Sequence, residues 1–311
     1  MTKTAILFPG QGSQEQGMGR DVAVGLGEAM DLWTFAEKES GLALREIYWD
    51  GASGDMADTR ALQPALTVTN LSLWLAARDR LTPAASAGHS LGEFAALAAS
   101  GALDGRDAIR AVCLRGRLMA EAGGEGHGMA AVVKLDQATV EGIVEQAAGD
   151  TGRQLRIANY NSPAQFVISG ESEPLAAAAV LVKEAKGRAI TLAVSGAFHS
   201  PLISEAADEF AAFLAGLNWK APAFPVFHNA TALPEPDPSG ILPVMQRQMT
   251  SSVLWVQTLQ ALWLDGVRHF VEIGPKNVLT KLLVPNLADL PGSEGQWTSA
   301  SAGSLEQAET L

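Results

Sequence analysis

The segment Ala87-Gly88-His89-Ser90-Leu91-Gly92-Glu93 decides the fold that we predict for this chain. It contains the pattern Gly-x-Ser-x-Gly, which is typical of a sharp turn between a buried strand and a helix. Glycines flank the serine because side chains there would collide with neighbouring backbone. The turn lifts the Ser90 hydroxyl out of the sheet, where a nearby base can make it a nucleophile. Residues 93–99 favour the helix, whereas residues 83–88 predict only a short strand. From the pentapeptide alone, a glycine-flanked serine in an ordinary loop is the alternative.

A second glycine-containing segment follows a predicted buried strand near the N-terminus. The strand covers Ala5-Ile6-Leu7-Phe8-Pro9 and leads into Gly10-Gln11-Gly12-Ser13-Gln14. Glu15 stands where a dinucleotide-binding loop would have its third glycine, and no Gly-Lys-Ser/Thr follows, so a phosphate-binding P-loop is excluded. The segment is suited instead to bringing a backbone N–H group and a polar side chain to a substrate. The oxyanion formed in acyl transfer to a serine requires such donors.

Together these segments resemble the malonyl-CoA:acyl carrier protein transacylase family. The matching stretches are Phe8-Pro9-Gly10-Gln11-Gly12-Ser13-Gln14 and Gly88-His89-Ser90-Leu91-Gly92-Glu93-Phe94-Ala95-Ala96-Leu97. The same order continues with Arg115, Gly196-Ala197-Phe198-His199-Ser200, Gln248 and Gly274-Pro275. The resemblance covers roughly residues 4–285, and several motifs in one order are more specific than any single motif. It implies a free-standing transacylase rather than a module cut from a synthase.

Composition and charge exclude several classes of function. The 311 residues are 47% hydrophobic, enough for one large domain or two modest ones. The net charge of -12 and the isoelectric point near 4.9 argue against nucleic acid or a membrane surface as a partner. Acyl carrier proteins are also acidic, so docking one would require a local basic patch. No apolar run reaches the ~18 residues of a membrane-spanning helix. The N-terminus has no signal peptide of the usual form, so we expect a soluble, cytoplasmic protein.

The single cysteine, Cys113, excludes an intramolecular disulfide and a cysteine-cluster metal site. It lies in an apolar helical stretch, which predicts a buried and unreactive thiol.

Alternating strand and helix patterns predict an α/β protein. Outside the middle of the chain, helices are expected at 64–81, with Pro64 in the first turn, and at 108–122. A glycine cluster at 123–126 ends the second of these helices and is expected to form a hinge. In the middle, the predicted strands and helices follow a β-α-β-β-α-β order typical of a ferredoxin-like domain. Its strands are predicted at 129–133, 154–158, 165–169 and 189–194, and its helices at 138–148, capped by Asp136, and at 173–186.

We therefore predict an α/β-hydrolase-like large domain with a nucleophile elbow, discontinuous over residues 1–125 and 196–285. A ferredoxin-like small domain, residues 126–195, is inserted into it, and a catalytic cleft is expected between the two. Residues 286–311 are small and polar, which predicts a flexible C-terminal tail.

A serine nucleophile requires a base, and five histidines are available: His89, His127, His199, His228 and His269. The position of His199, where the chain re-enters the large domain, favours it over His228, and the His89 side chain is expected to point away from the elbow. The resemblance also implies His199. No Asp or Glu is suitably spaced after the elbow to complete a triad. In the resembled family a main-chain carbonyl near the residue matching Gln248 orients the histidine, so we expect a Ser90–His199 dyad.

Arg115 lies among apolar neighbours on a predicted helix, which indicates a buried guanidinium that needs a partner. A planar guanidinium is suited to bidentate binding of a carboxylate. The resemblance implies that Arg115 binds the free carboxylate of a malonyl group, and a structural ion pair is the alternative. Arg117 is expected to be solvated.

The resemblance also implies the remaining site residues. The backbone N–H groups of Gln11 and Leu91 would form the oxyanion hole, and Gln248 would contribute to substrate binding. In the resembled family an apolar residue after the serine accompanies malonyl groups, and a bulky Phe198 would crowd an α-methyl group. Asn159 and Asn161 also fall near the predicted cleft, but an Asn-Ser-Pro turn needs no function.

The activity implied is ping-pong transfer of a malonyl group from malonyl-CoA to the phosphopantetheine thiol of acyl carrier protein, which feeds fatty-acid chain extension. No metal and no bound cofactor are implied, because coenzyme A and phosphopantetheine thioesters are the substrates. One alternative is a discrete, trans-acting acyltransferase of a polyketide synthase. Another is a serine hydrolase or thioesterase, which would not need the buried cation Arg115. A non-enzymatic scaffold would require that Ser90 and His199 do not meet.

Overall fold

Two β-sheets organise the chain, which a computed structural model describes over residues 2–51, 56–194, 196–288 and 290–311. The strands in these residues are β1 (Lys3–Phe8), β2 (Pro83–Gly88), β3 (His127–Val133), β4 (Leu155–Ser162), β5 (Gln165–Glu171), β6 (Arg188–Thr191), β7 (Val226–Phe227), β8 (Val267–Ile273) and β9 (Thr298–Ala302). The α-helices in the same residues are α1 (Arg20–Gly25), α2 (Gly27–Ser40), α3 (Thr59–Ala77), α4 (Gly92–Ala99), α5 (Gly105–Glu121), α6 (Gln137–Thr151), α7 (Ser172–Glu184), α8 (Ser204–Ala215), α9 (Pro238–Gln246), α10 (Trp255–Leu264), α11 (Val278–Leu287) and α12 (Leu305–Glu309).

The first sheet is parallel, with strand order β7-β2-β1-β8-β9. Its central strand β1 is buried on both faces, since Ile6 and Phe8 pack into one hydrophobic cluster and Ala5 and Leu7 into another. This arrangement is usual for parallel sheets, whose two faces are covered by helices. Strands β1 and β2 end side by side, so the loops that follow them meet at the carboxyl edge of the sheet, where ligand sites of open α/β sheets lie.

The second sheet is antiparallel, with strand order β4-β5-β3-β6. Between His127 and Thr191 the elements follow the predicted β-α-β-β-α-β order. Helices α6 and α7 contribute apolar side chains to the cluster on this sheet. As predicted, Asp136 caps α6, because its Oδ1 accepts the Thr139 N–H at 2.8 Å.

The edge strand β4 connects this second sheet to the segment that precedes α10. Val253 donates its N–H to the Ala158 carbonyl at 2.8 Å, and its own carbonyl accepts the Tyr160 N–H at 2.9 Å. These bonds place Val253 beside Asn159 in an isolated parallel bridge. The two parts of the structure are therefore joined by backbone hydrogen bonds along the edge strand β4.

Helix α3 begins five residues earlier than the sequence pattern predicted. It starts at Thr59, and Pro64 lies inside it rather than in its first turn. The reason is the cap at Asp58, whose Oδ1 accepts the Arg60 N–H at 3.0 Å and satisfies an otherwise free donor.

The prediction of a flexible C-terminal tail over residues 286–311 is wrong, because its described residues include a strand and a helix. Strand β9 pairs in parallel with β8 along its whole length, from His269↔Thr298 to Ile273↔Ala302. Helix α12 follows, and Ala302 and Ala308 are fully buried. The small side chains of β9 let it lie close against the sheet. Leu290, Trp297, Leu305 and Leu311 pack against the two hydrophobic clusters, so both backbone pairing and apolar contacts hold the segment.

No helix in the described ranges combines the length and the apolarity that crossing a membrane requires.

Candidate active site

Ser90 stands at a tight turn between β2 and α4, with a left-handed backbone conformation (φ 51°). A Cβ atom at Gly88 would lie 2.0 Å from the Gly92 carbonyl oxygen, and one at Gly92 would lie 2.2 Å from that of Phe8. The turn therefore requires both glycines. Asn229 spans it, since its Oδ1 accepts the Ser90 N–H at 2.7 Å and its Nδ2 donates to the Gly88 carbonyl at 2.6 Å. These bonds hold a serine conformation that costs on the order of 1–3 kcal/mol.

His199 is the histidine that meets this serine. Its Nε2 lies 2.8 Å from the Ser90 Oγ. Its Nδ1 lies 3.0 Å from the Ser251 carbonyl oxygen and 3.3 Å from that of Gln248. Because carbonyl oxygens only accept hydrogen bonds, Nδ1 carries the proton and Nε2 presents its lone pair to the hydroxyl. The orienting group is a main-chain carbonyl, as the family resemblance implied, and Ser251 supplies a shorter contact than Gln248.

The His199 imidazole is only 3% exposed. Burial lowers its pKa to about 3, and the positive charge of Arg115 acts in the same direction. The hydrogen bonds to the Ser251 and Gln248 carbonyls oppose this shift. The ring is therefore neutral at physiological pH and free to accept a proton.

Arg115, on α5, is 1% exposed and reaches the same hydroxyl. One guanidinium nitrogen lies 3.2 Å from the Ser90 Oγ. The group also donates to the side-chain carbonyls of Gln63, at 2.8 Å, and of Gln248, at 3.1 and 3.2 Å. Burial lowers its pKa to about 10, so it is charged at neutral pH. Within the described residues Arg115 forms no ion pair, which argues against the alternative that it serves only as a structural ion-pair partner.

A buried carboxylate behind the elbow was not anticipated from the sequence. Glu93 accepts the His228 Nδ1–H at 2.8 Å through one oxygen and the Gln248 Nε2–H at 3.0 Å through the other. Gln248 also donates to the Ser90 carbonyl at 2.9 Å. His228 thus pairs with Glu93 rather than with Ser90. The sequence signal for Glu93 was its place in the first turn of the helix after the elbow, where a carboxylate would ordinarily be assigned to the helix dipole.

A cavity of about 320 Å³ opens over the serine. Its apolar wall includes Met119, Met129 and Val167. The predicted site residues that line it are Gln11, Ser90, Leu91, Arg115, Phe198 and His199. Gln248, predicted to bind substrate, is instead buried behind the arginine, where it holds the guanidinium. A second cavity of about 430 Å³ shares Gln11 and Phe198 with the first and continues it.

The two predicted oxyanion donors border this cavity from adjacent loops. The loops are joined where the His89 N–H donates to the Phe8 carbonyl at 2.9 Å. Neither the Gln11 nor the Leu91 amide donates a hydrogen bond within the part of the chain that the structure describes. Both are therefore available to a ligand oxygen.

Further residues line the cavity that the sequence had not placed there. The prediction that the His89 side chain points away from the site is wrong, because it lies in the cavity wall with Nε2 2.8 Å from the Asn161 Oδ1. Burial lowers the pKa of His89, so it is also neutral. Asn159 belongs to the same wall. The asparagines of β4 thus face the site, although an Asn-Ser-Pro turn gave no functional signal.

The described residues include no group of three or more His, Cys, Asp or Glu side chains arranged to hold a metal ion. Cys113 is partly rather than fully buried, and burial raises the pKa of its thiol to about 12. It is therefore a protonated, weakly reactive thiol.

A family model described as an acyl transferase domain matches residues 6–310. A malonyl CoA-acyl carrier protein transacylase from Escherichia coli (strain K12) is 36% identical, over 98% of this chain and 100% of its own. One from Staphylococcus aureus (strain MW2) is 38% identical, over 91% and 92% respectively. The chain therefore belongs to the malonyl-CoA:acyl carrier protein transacylase family.

Solved structures agree with this assignment. An acyl carrier protein S-malonyltransferase from Vibrio cholerae is 34% identical with a TM-score of 0.90, covering 99% of both chains. A malonyl-transacylase solved in complex with its type II polyketide synthase acyl carrier protein is 32% identical with a TM-score of 0.91, covering 99% of this chain and 98% of the other.

Proposed function

We propose that this protein transfers a malonyl group from malonyl-CoA to the phosphopantetheine thiol of acyl carrier protein. The observation that carries the proposal is the environment of one atom. The Ser90 Oγ contacts both the Nε2 of His199, at 2.8 Å, and the guanidinium of Arg115, at 3.2 Å. One cavity thus brings together a nucleophile, a neutral base and a buried cation that no carboxylate among the described residues contacts. The named family members are malonyl CoA-acyl carrier protein transacylases.

In the first half-reaction the Ser90 Oγ attacks the thioester carbonyl carbon while its proton passes to the His199 Nε2. The amides of Gln11 and Leu91 donate to the resulting oxyanion. Collapse of the intermediate breaks the carbon–sulfur bond, and His199 returns the proton to the departing coenzyme A thiol. The product of this step is malonyl-Ser90.

The second half-reaction runs the same steps toward a different thiol. The phosphopantetheine thiol gives its proton to His199 and attacks the ester carbonyl of malonyl-Ser90. The carbon–oxygen bond breaks, and His199 returns the proton to the Ser90 Oγ. Malonyl-acyl carrier protein leaves, and the enzyme regains its starting protonation state.

Arg115 selects the acyl group. The malonyl carboxylate is separated from the reacting carbonyl by a single methylene, so a cation 3.2 Å from the nucleophile is close enough to bind it. Gln63 and Gln248 orient the guanidinium through neutral oxygens, and no carboxylate among the described residues contacts it, although the charge of Glu93 acts on it from behind Gln248. Charge-assisted bidentate contacts to a carboxylate then form on binding. The bulk of Phe198 and the apolar Leu91 restrict an α-substituent.

We also infer the division of the chain into functional units. Residues 1–125 and 196–285, together with strand β9 and helix α12, form an α/β-hydrolase-like unit, supported by the elbow at the carboxyl edge of a parallel sheet to which β9 belongs. Residues 126–195 form a ferredoxin-like unit, supported by the β-α-β-β-α-β order and the antiparallel sheet. The cavity lies between them, since its wall includes both Ser90 and Asn161. The expected substrates support a cytoplasmic location.

The proposal is tested by the intact mass of the protein after mixing with malonyl-CoA. One malonyl adduct is expected, and it should be lost when acyl carrier protein carrying the phosphopantetheine thiol is added. Rapid release of free malonate without a carrier would instead identify a hydrolase. Absence of any adduct, with coenzyme A unreleased, would reject the proposal.

A second candidate concerns the carrier alone. Similarity to a malonyl-transacylase in complex with a type II polyketide synthase acyl carrier protein favours testing that carrier as well. The rate at which each carrier removes the malonyl adduct separates the two pathways.

A further inference from the structure

The carbonyl that orients His199 belongs to a short irregular segment, residues 250–253, between α9 and α10. On one side this segment is held by its own part of the chain, because the Thr250 and Ser251 amides both donate to the Arg247 carbonyl, at 3.2 and 3.0 Å. These contacts form a local turn, and they leave the direction of the carbonyls at 250 and 251 to be set by other groups.

Arg156, on β4 of the second sheet, contacts the other side of the 250–253 segment. One of its guanidinium nitrogens donates to the Thr250 carbonyl at 3.0 Å, and another donates to the Ser252 Oγ at 2.8 Å. The Ser252 hydroxyl in turn donates to the Ile157 carbonyl at 2.7 Å. The two bonds of Arg156 therefore bracket Ser251, whose carbonyl receives the Nδ1–H of His199 at 3.0 Å.

The setting of Arg156 is unusual for an arginine near a protein surface. It is partly buried, and burial lowers its pKa. Among the described residues it forms no ion pair, and its partners in the 250–253 segment are neutral oxygens. Within the described residues, Arg153, three residues earlier, pairs with the carboxylates of Glu171, at the end of β5, and of Glu173, on α7. Burying a cation against neutral acceptors has an energetic cost, so we expect a geometric advantage of arginine at this position. Its planar guanidinium can donate to two acceptors that lie two residues apart.

We propose that Arg156 is a positioning residue for the base His199, acting through the Ser251 carbonyl. By fixing the residues on both sides of Ser251, it points that carbonyl at Nδ1, and the imidazole presents Nε2 to Ser90. The inserted ferredoxin-like unit thus contributes to the alignment of a dyad whose two members both lie outside it. This inference rests on the proposed role of His199 as the base.

The test compares Arg156→Met, Arg156→Lys and the matched control Arg153→Met. We measure the single-turnover rate of malonyl loading against malonyl-CoA concentration by quenched-flow mass spectrometry. Arg156→Met should load roughly 10- to 100-fold more slowly at saturation, because a displacement of about 1 Å at a catalytic group costs up to about 100-fold. The concentration giving half-maximal rate should not change, since Arg115 is untouched. Arg156→Lys should recover part of the rate, because lysine reaches one of the two acceptors, and Arg153→Met should match the native protein.

A second readout reports the positioning directly and does not depend on turnover. The proton on the His199 Nδ1, assigned in proton NMR spectra by its loss in His199→Ala, should shift in Arg156→Met and stay in place in Arg153→Met. Should Arg156→Met fail to fold, the rate and the proton shift of Arg156→Lys carry the test.

Native loading rates in both Arg156 variants, or equal losses of rate and affinity with the Nδ1 proton unmoved, would overturn the inference. A native protein that forms no malonyl adduct would reject the proposed function instead, and the proton shift would still test the link between Arg156 and His199.

Discussion

The elbow at residues 88–92 carries Ser90, and the 250–253 segment orients its hydrogen-bonded partner His199. The conformations of these two segments are fixed in different ways. The elbow requires its own glycines, because side chains at Gly88 and Gly92 would collide with backbone, and Asn229 adds two hydrogen bonds across it. The 250–253 segment has no motif, and Arg156, about a hundred positions earlier in the chain, holds it. Local sequence therefore predicts where the nucleophile lies, whereas the support of the base depends on contacts that only the folded chain creates.

The largest effect is expected at the centre of the elbow. Ser90→Ala should abolish malonyl loading, because among the described residues Ser90 is the hydroxyl that His199 contacts. Intact-protein mass spectrometry after incubation with malonyl-CoA measures the adduct, and circular dichroism controls for folding. An adduct formed at the native rate would mean that the nucleophile is assigned wrongly.

Removal of the base should have the next largest effect. His199→Ala is expected to slow loading by ~10²–10⁴-fold, the usual contribution of a positioned general base. Stopped-flow release of coenzyme A measures the rate. His228→Asn is the matched control, because His228 is buried near the site but pairs with Glu93. If the control loses more activity than His199→Ala, the base is assigned wrongly.

The pH dependence of loading should show the effect of burial on the same histidine. The base acts in its neutral form, and burial lowers its pKa to about 3. The loading rate should therefore hold steady as the pH falls from about 8 to about 5, whereas a histidine with the ordinary pKa of about 6.5 would lose most of its neutral form. Single-turnover rates across this range measure it, and a decline centred near pH 6.5 would show that the imidazole is more exposed than the structure indicates.

The sequence predicted the functional residues better than it predicted what supports them. Ser90 and His199 lie in short motifs, Arg115 lies on a predicted helix, and the family resemblance implied a role for all three; the folded chain brings them into contact. Glu93 and Asn229 were missed, since a carboxylate in a helix and an asparagine in a loop have no distinguishing pattern. Both act through hydrogen bonds to residues that lie more than a hundred positions away.

The fold shows the same limit at the C-terminus. The alternation of strands and helices predicted the second sheet, because hydrophobic periodicity reports which face of each element is buried. Strand β9, by contrast, consists of Thr-Ser-Ala-Ser-Ala, with no period that could be recognised. Its place is decided by the free edge of β8, which a local pattern cannot show.

Substitution of the cation should change selectivity more than turnover. Arg115→Ala removes charge-assisted hydrogen bonds to the malonyl carboxylate, each contributing roughly 1.5–3 kcal/mol. Loading from acetyl-CoA, which has no such carboxylate, should fall less than loading from malonyl-CoA, or rise. Competition between the two thioesters, resolved by adduct mass, gives the ratio. The matched control is Arg117→Ala on the same helix, whose side chain pairs on the surface with Glu121 and Glu209. An unchanged ratio in Arg115→Ala would assign it a purely structural role.

The smallest effect is expected in the 250–253 segment itself. Ser252→Ala removes the hydroxyl that donates to the Ile157 carbonyl at 2.7 Å and accepts from Arg156 at 2.8 Å. Leaving buried groups without partners should lower the free energy of unfolding by about 1–3 kcal/mol. Loading should slow only a few-fold, because Arg156 still donates to Thr250 and Val253 still bonds to Ala158.

Thermal unfolding and single-turnover loading together measure this change. Ser169→Ala is the matched control, since Ser169 lies on β5 opposite Arg156, is fully buried, and its hydroxyl has no partner within the described residues. That variant should keep both its stability and its rate. A loss of rate in Ser252→Ala as large as in His199→Ala would mean that the segment is held by this one hydroxyl. Unchanged stability would mean that this hydroxyl does not hold the segment, which would then depend on the bonds of Arg156 to Thr250 and of Val253 to Ala158.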